Sequence, residues 1–310
     1  MHYTGTIWRP PYEAGSLLLE ATIGCTHHKC KFCTLYDDLP FQFRMSPLEN
    51  IESDLLEVQT LRHSPHAKAA RALLRHPSPD IERVYLTGAN PFVLQSERLT
   101  EIARLIHQYI PECRTIGCFS RITDISLKSD EELRELRNCG YDGLTIGVET
   151  GDDQALAFMN KGYDSAEIVQ QCARLDEAEI SYHFFYLTGI SGAGRGLTGA
   201  KASARIFNQT HPKIIGSSML TIFPESELYR EIQRGNWQEE GELEKIEELK
   251  MLISELDIPT CFASLGASNA IMVQGHLPKD REAMLAYLTR SAQEFGEEQL
   301  REYRTHLSHL

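Results

Sequence analysis

The 310-residue sequence predicts an α/β fold, a parallel sheet whose strands alternate with helices. Three observations lead to it. Six short apolar runs, at residues 17–23, 83–87, 114–119, 143–148, 181–187 and 214–223, are bounded by turn-forming or polar residues, the pattern of strands in a buried sheet. Helical segments with capping signals lie between them, and such alternation folds by right-handed crossovers. Residue types that carry chemistry collect just past the runs, at the end where barrel enzymes keep their active sites. Six alternations describe a partial (β/α)6 barrel over residues 17–235, with an N-terminal arm at 1–16 and a C-terminal helical extension at 236–310 closing the barrel.

At 42% hydrophobic residues the chain can bury a full core. One main domain with extensions suffices, because α/β barrels run well past the usual ~150 residues per domain. Lysine and arginine total 31 against 44 aspartate and glutamate, a net charge of −13. That balance repels a phosphate backbone and supplies no basic arm, so nucleic acid is not an expected partner. No apolar run approaches the ~18 residues that a membrane span needs. The N-terminus Met1-His2-Tyr3-Thr4-Gly5 lacks the basic-then-apolar pattern of a secretory leader. Cys113, Cys118, Cys139, Cys172 and Cys261 form no CxxC pair and read as buried thiols. Together these features predict a soluble protein of a reducing cytoplasm.

Pro10-Pro11 punctuates the arm, which is expected to lie on the barrel. Leu17 to Ile23 reads as the first strand, ending at Gly24. After a connection containing Tyr36, Phe41 and Phe43, the run Ser46-Pro47-Leu48-Glu49 predicts a helix opened by a capping box with proline at its first position. Residues 63–79 read as a solvated helical insertion. The second strand, 83–87, runs into the turn Gly88-Ala89-Asn90-Pro91, and a helix at 97–110 leads to the third. The third strand ends in Ser120-Arg121, where a guanidinium can take a carboxylate bidentately; a surface salt bridge is the alternative. Ser129-Asp130-Glu131-Glu132 caps the next helix and Gly140 stops it. The fourth strand delivers Glu149-Thr150-Gly151, and Asp164-Ser165-Ala166-Glu167 caps another helix. The fifth ends at Thr188-Gly189-Ile190-Ser191-Gly192, a helix at 198–209 precedes the sixth, and Pro224-Glu225-Ser226-Glu227 starts the helix after it. A helix at 239–256 carries the stripe Leu243, Ile246, Leu249, Leu252. The stretch 261–270 shows no period and reads as a loop over substrate; helices at 279–293 and 296–306 read as mostly exposed.

The most specific stretch is Gly24-Cys25-Thr26-His27-His28-Lys29-Cys30-Lys31-Phe32-Cys33, which holds three of the eight cysteines. This spacing splays the thiols around a tight loop instead of along one face of an element, so they are expected to converge on a bound group. Thiolates ligate soft metals, and three of them leave one iron of a cubane cluster open for a substrate or cofactor. The alternative is a zinc knot drawing on His27 or His28.

Cys25, Cys30 and Cys33, with an aromatic, Phe32, before the last and a strand before the first, resemble the signature of the radical S-adenosylmethionine (radical SAM) superfamily. The usual spacing there is three residues and then two, whereas the four residues Thr26 to Lys29 separate Cys25 from Cys30 here, a CX4CX2C variant. Gly147-Val148-Glu149-Thr150-Gly151 with Met159-Asn160-Lys161-Gly162 is similar to the branch containing the Elongator catalytic subunit, the methylthiotransferases and the oxygen-independent coproporphyrinogen oxidase. The resemblance implies a partial (β/α)6 TIM-like barrel and a 4Fe-4S cluster held by Cys25, Cys30 and Cys33. It further implies S-adenosylmethionine bound by Phe32 beside the adenine, by the turn Gly88, Ala89 and Asn90 at the amino group, by Ser120 and Arg121, by Glu149, and by Gly189 and Ile190 against the adenine. The implied activity is reductive cleavage of S-adenosylmethionine to a 5′-deoxyadenosyl radical that abstracts hydrogen from a substrate, with a reductant such as flavodoxin or ferredoxin. No tRNA-binding module, cobalamin domain or second cysteine cluster is visible, so the expected substrate is a small molecule. Tyr36, Tyr186, Cys118 and Cys261 are candidate hydrogen donors, each with a structural role as its alternative. The rival to an enzyme is a non-catalytic iron–sulfur redox sensor or a zinc-binding protein.

Overall fold

The computed structural model describes residues 1–65 and 80–306; from residue 66 on, the insertion expected at 63–79 lies outside them. The chain divides into two compact units, one of residues 1–26, 38–145 and 178–180 and the other of 27–37, 146–177 and 181–310. Among the described residues no helix is long and apolar enough to cross a membrane.

The first unit holds β1 (Leu17–Glu20), β2 (Thr22–Gly24), β3 (Phe43–Met45), α1 (Leu48–His63), β4 (Arg83–Thr87), α2 (Ser96–Tyr109), β5 (Thr115–Ser120), α3 (Ile122–Ser126) and α4 (Asp130–Asn138). β1 pairs in parallel with β4, and β4 with β5, with Leu19 opposite Leu86 and Val84 opposite Ile116. Val84, Tyr85 and Leu86 are all fully buried, as expected of a parallel strand covered on both faces, which reads as a continuous apolar run. On α2, Leu99, Ile102, Ala103 and Ile106 recur at helical spacing and are buried together. The arm is tied in by charge: Glu13, 2% exposed, takes Nε and Nη2 of Arg83, which also donates to Thr115 and to the carbonyls of Asp142 and Gly143.

Two sequence expectations change here. The run 17–23 is two strands, because at Ala21 the backbone leaves the parallel ladder: its N–H still bonds Thr87, while its carbonyl accepts from Ser46 and β2 pairs antiparallel with β3. The capping box expected at Ser46 does not form. Pro47 takes the cap position without a side-chain bond, and the Ser46 hydroxyl donates to Glu20 at 3.3 Å. The boxes at Ser129/Glu132 and Asp164/Glu167 do form, each with both reciprocal bonds.

The fourth strand, β6 (Leu144–Glu149), runs from the first unit into the second. The second unit continues with α5 (Asp153–Phe158), α6 (Ser165–Glu177), β7 (Tyr182–Thr188), α7 (Gly196–Phe207), β8 (Ile214–Met219), α8 (Glu227–Gln233), α9 (Glu242–Glu255), β9 (Thr260–Ser264), β10 (Val273–Leu277) and α10 (Arg281–Thr305). β7, β8 and β9 are parallel neighbours, and β10 adds antiparallel to β9. Phe184 anchors the core, its ring 5.5 Å from Tyr182 and 5.0 Å from Phe207.

The extension at 236–310 is therefore not wholly helical. Residues 261–264, read as loop, belong to β9, and β10 alternates buried Val273, Gly275 and Leu277 with exposed Gln274 and His276, a half-buried strand pattern. α9 also departs from its predicted stripe. Leu243 is 37% exposed, while Ile246, Leu249, Leu252 and Ile253 are buried beside Glu242, Lys245 and Glu248. The charged residues go inside because they have partners: Lys245 Nζ is 2.7 Å from Glu239 and 3.2 Å from Glu242.

Candidate functional site

Each unit carries part of the predicted set. In the first, Cys25 follows Gly24, whose φ of +78° places a substituent's Cβ 2.1 Å from the Gln42 carbonyl; only glycine fits this close approach. The Cys25 N–H bonds that same carbonyl at 3.0 Å, and Gln42 donates its side-chain amide to the Thr26 carbonyl at 2.9 Å. Gly88, at φ +129°, is glycine because Thr22 stands 2.0 Å from where its Cβ would lie. Asn90 is fully buried and bonds Thr26 and Asp124. The Ser120 hydroxyl bonds the Arg121 carbonyl, and Arg121 places its guanidinium on Thr123 at 2.9 Å at the start of α3.

The second unit holds Cys30, Phe32, Cys33, Glu149, Gly189 and Ile190, and brings several of them together. Lys31, between Cys30 and Phe32, is pinned through its backbone, its N–H to Met159 and its carbonyl to Leu228. Phe32 packs on the buried cluster of Met159, Ile190, Leu220 and Leu228. Lys161, 4% exposed, sits 5.7 Å from the Phe32 ring centroid and donates to Glu149 at 3.2 Å and to the Gly147 carbonyl at 3.0 Å. Glu149 has φ +63° and Asn160 φ +59°, left-handed values that non-glycine residues adopt at a cost and that gather at functional sites. Gly189, also left-handed, donates its N–H to Glu248 at 2.7 Å. Ile190 lines a cavity of about 250 Å³ with Phe158, Trp237 and Arg195.

None of the cysteines is in a disulfide, and Cys25, Cys30 and Cys33 are each half-buried. Among the described residues no three His, Cys, Asp or Glu side chains are grouped to hold a metal ion. By donor chemistry the loop fits an iron–sulfur cluster: it offers three thiols, on a backbone held by Gln42, Met159 and Leu228. Of the imidazoles the zinc alternative would draw on, His27 Nε2 is 2.6 Å from the Asn160 carbonyl and His28 Nε2 is 2.7 Å from Asp37. Two candidate hydrogen donors are packed away. Cys118 is fully buried, which pushes its thiol well up, and Tyr186 donates to Glu248 from a fully buried position. Cys261 lies in β9, its sulfur 3.9 Å from Gln274, and Tyr36 has φ +73°.

Sequence reasoning missed Lys161, Asn160, Asp124 and Glu248. Only Met159-Asn160-Lys161-Gly162 carried a signal, and it assigned no roles; Asp124 and Glu248 carried none, and the fold buries both.

Comparisons with known proteins bear on this arrangement. The family model of the Radical SAM superfamily matches residues 19–195, more than half of the chain and including all three loop cysteines. No curated protein matches. The fold is similar to methylornithine synthase (PylB), with 16% identity, a TM-score of 0.51 and coverage of 79% of this chain and 64% of that one. It is also similar to coproporphyrinogen III oxidase (HemN) from Escherichia coli, at 15% identity and TM-score 0.54, covering 77% and 51%. A third is the radical S-adenosylmethionine methyltransferase TsrM from Kitasatospora setae with cobalamin and cluster bound, at 17% identity and TM-score 0.53, covering 71% and 39%. The chain thus spans less than two thirds of the length of each of these structures, and at such identities the likeness shows the fold. With the cysteine loop inside a match of this extent, the chain belongs to the radical SAM superfamily, enzymes that use a 4Fe-4S cluster and S-adenosylmethionine.

Proposed function

We propose that Cys25, Cys30 and Cys33 hold the 4Fe-4S cluster and that Phe32, Gly88, Ala89, Asn90, Ser120, Arg121, Glu149, Gly189 and Ile190 form the surroundings of S-adenosylmethionine. The substrate is a small molecule and the electrons come from a flavodoxin- or ferredoxin-type reductant, with residues 17–235 as the catalytic core. The observation that carries the reading is the three-cysteine loop lying within the family match.

When bound, the cluster and S-adenosylmethionine supply reductive cleavage to a 5′-deoxyadenosyl radical, which takes hydrogen from substrate. The chain's own residues bind and orient. Glu149, its carboxylate held by Lys161, offers a charged acceptor to the amino or hydroxyl groups of the cofactor. Phe32 and Ile190 share one apolar cluster, suited to the faces of an adenine ring. Arg121, positioned by Thr123, supplies a cation for the methionine carboxylate. Phe32, partly buried, packs on that apolar cluster and lines this side of the proposed site with non-polar surface. The net charge of −13 favours a small-molecule substrate over nucleic acid.

Anaerobic reconstitution with iron and sulfide, followed by dithionite and S-adenosylmethionine, tests the assignment. The expected products are 5′-deoxyadenosine and methionine. A fully loaded protein that forms neither, and whose electron paramagnetic resonance spectrum ignores the cofactor, would overturn it.

A further inference from the structure

Asn90 stands where the resemblance places a contact to the cofactor's amino group, yet its side chain is committed inside the protein. It is fully buried. Its Nδ2 lies 2.8 Å from Thr26 Oγ1 and 3.1 Å from each carboxylate oxygen of Asp124, and its Oδ1 accepts the Thr26 N–H at 3.4 Å. A carboxylate only accepts, so the amide orientation is set by Asp124, and both N–H groups of Asn90 find acceptors within the protein. Asp124 is 1% exposed, and its Oδ2 also takes the Arg121 N–H at 2.8 Å. One carboxylate therefore ties the end of β5 to the turn after β4, and through Asn90 to Thr26. Thr26 is the residue directly after Cys25 and the first of the four that separate it from Cys30. An acid at position 90 would set two buried carboxylates against each other, a physical reason for an amide there.

We propose that Asn90, locked by Asp124, is a positioning residue that fixes the Cys25 end of the enlarged cysteine loop instead of contacting the cofactor through its side chain. The inference rests on the assignment of Cys25 as a cluster ligand. It goes beyond that assignment by explaining how a loop with an extra residue is kept in one conformation. Ordering a loop residue costs backbone entropy, and a buried bond network of this kind offsets that cost before any ligand arrives.

Two readouts test it. Hydrogen–deuterium exchange of the unloaded protein follows residues 22–33, and iron release to a chelator from the anaerobically reconstituted protein follows cluster retention. Asn90→Ala and Asp124→Asn are expected to raise exchange in that segment and to speed iron loss several-fold. Thr26→Ala, which removes the partner from the loop side and leaves the buried pair intact, should do the same more mildly and covers the case in which a buried variant fails to fold. The double variant Asn90→Asp with Asp124→Asn exchanges amide and carboxylate, and should recover both readouts toward wild type, a rescue that a purely space-filling role would not show. Wild-type exchange and iron retention in Asn90→Ala, with only the affinity for S-adenosylmethionine reduced, would overturn the proposal in favour of a direct cofactor contact. A double variant no better than its singles would overturn the pairing. If wild-type protein takes up no cluster at all, the ligand assignment fails, while exchange in the unloaded protein still decides the role of Asn90.

Discussion

Glu149 shows how a single residue can be marked for a role by its backbone. At φ +63° it occupies a region that costs a non-glycine residue about 1–3 kcal/mol, and the cost is offset by a side chain folded over Gly147 and bonded to Lys161. Glu149→Gln keeps the shape and removes the charge. It is expected to take up iron as wild type does and to bind S-adenosylmethionine about tenfold or more weakly, the loss of one charge-assisted bond of roughly 1.5–3 kcal/mol. Titration calorimetry on the reconstituted protein checks this, and an unchanged affinity removes Glu149 from the site. A second residue-scale case lies under the Gly189 turn. Glu240 and Glu248 are fully buried; burial pushes both carboxyls up, and for Glu240 the neighbouring Glu248 charge adds to the rise. The folded chain thus keeps a proton that the unfolded chain releases above its ordinary glutamate value of 4.5. Stability contributed by that proton is present in acid and lost as pH rises. Glu240→Gln, which takes away one of the two titrating carboxyls, should flatten the decline of Tm between about pH 5 and about pH 9. A Tm profile parallel to wild type across that range would show that Glu240 does not carry the proton.

Among the elements, the cysteine loop is short and takes backbone bonds with Gln42, Met159 and Leu228 alongside side-chain bonds from Gln42, Asn90 and Asn160. Replacing Cys30 with Ala leaves those bonds in place, so the expected outcome is a folded protein that binds no four-iron cluster, read from iron content and the visible spectrum. Retention of such a cluster would show that Cys30 is not a ligand. Core elements respond differently. Phe184 in β7 is fully buried among aromatic rings, and truncating it to Ala should cost about 3–5 kcal/mol in denaturant unfolding. A loss under about 1 kcal/mol would mean the strand repacks, contrary to a close-packed interior.

For the whole molecule, the cores of both units are assembled from aliphatic and aromatic side chains. Removing the cluster should therefore leave far-ultraviolet circular dichroism intact and unfolding cooperative, with Tm lowered only by the lost binding energy. Collapse of the signal on chelation would instead mark a metal-dependent fold of the zinc-knot kind.

Much of this was legible in the sequence. The parallel strand at 83–87 shows as an apolar run because a strand buried on both faces has no polar side to disguise it, and the cysteine loop shows because three thiols in nine residues have few other uses. The break at Ala21 and the pairing of β9 with β8 were not legible, since hydrogen-bond exchange between distant segments leaves no local pattern. By itself the sequence determined the six strand runs with the helices between them, the thiols of the loop, and the superfamily they announce. Only the tertiary structure decided that Lys161 joins Glu149 to Phe32, that Asn90 turns inward to Asp124 and Thr26, and that Glu248 lies beneath Gly189. The reason is physical: a charged or amide side chain reads as surface in one dimension, and only burial beside a specific partner far along the chain turns it into part of a site.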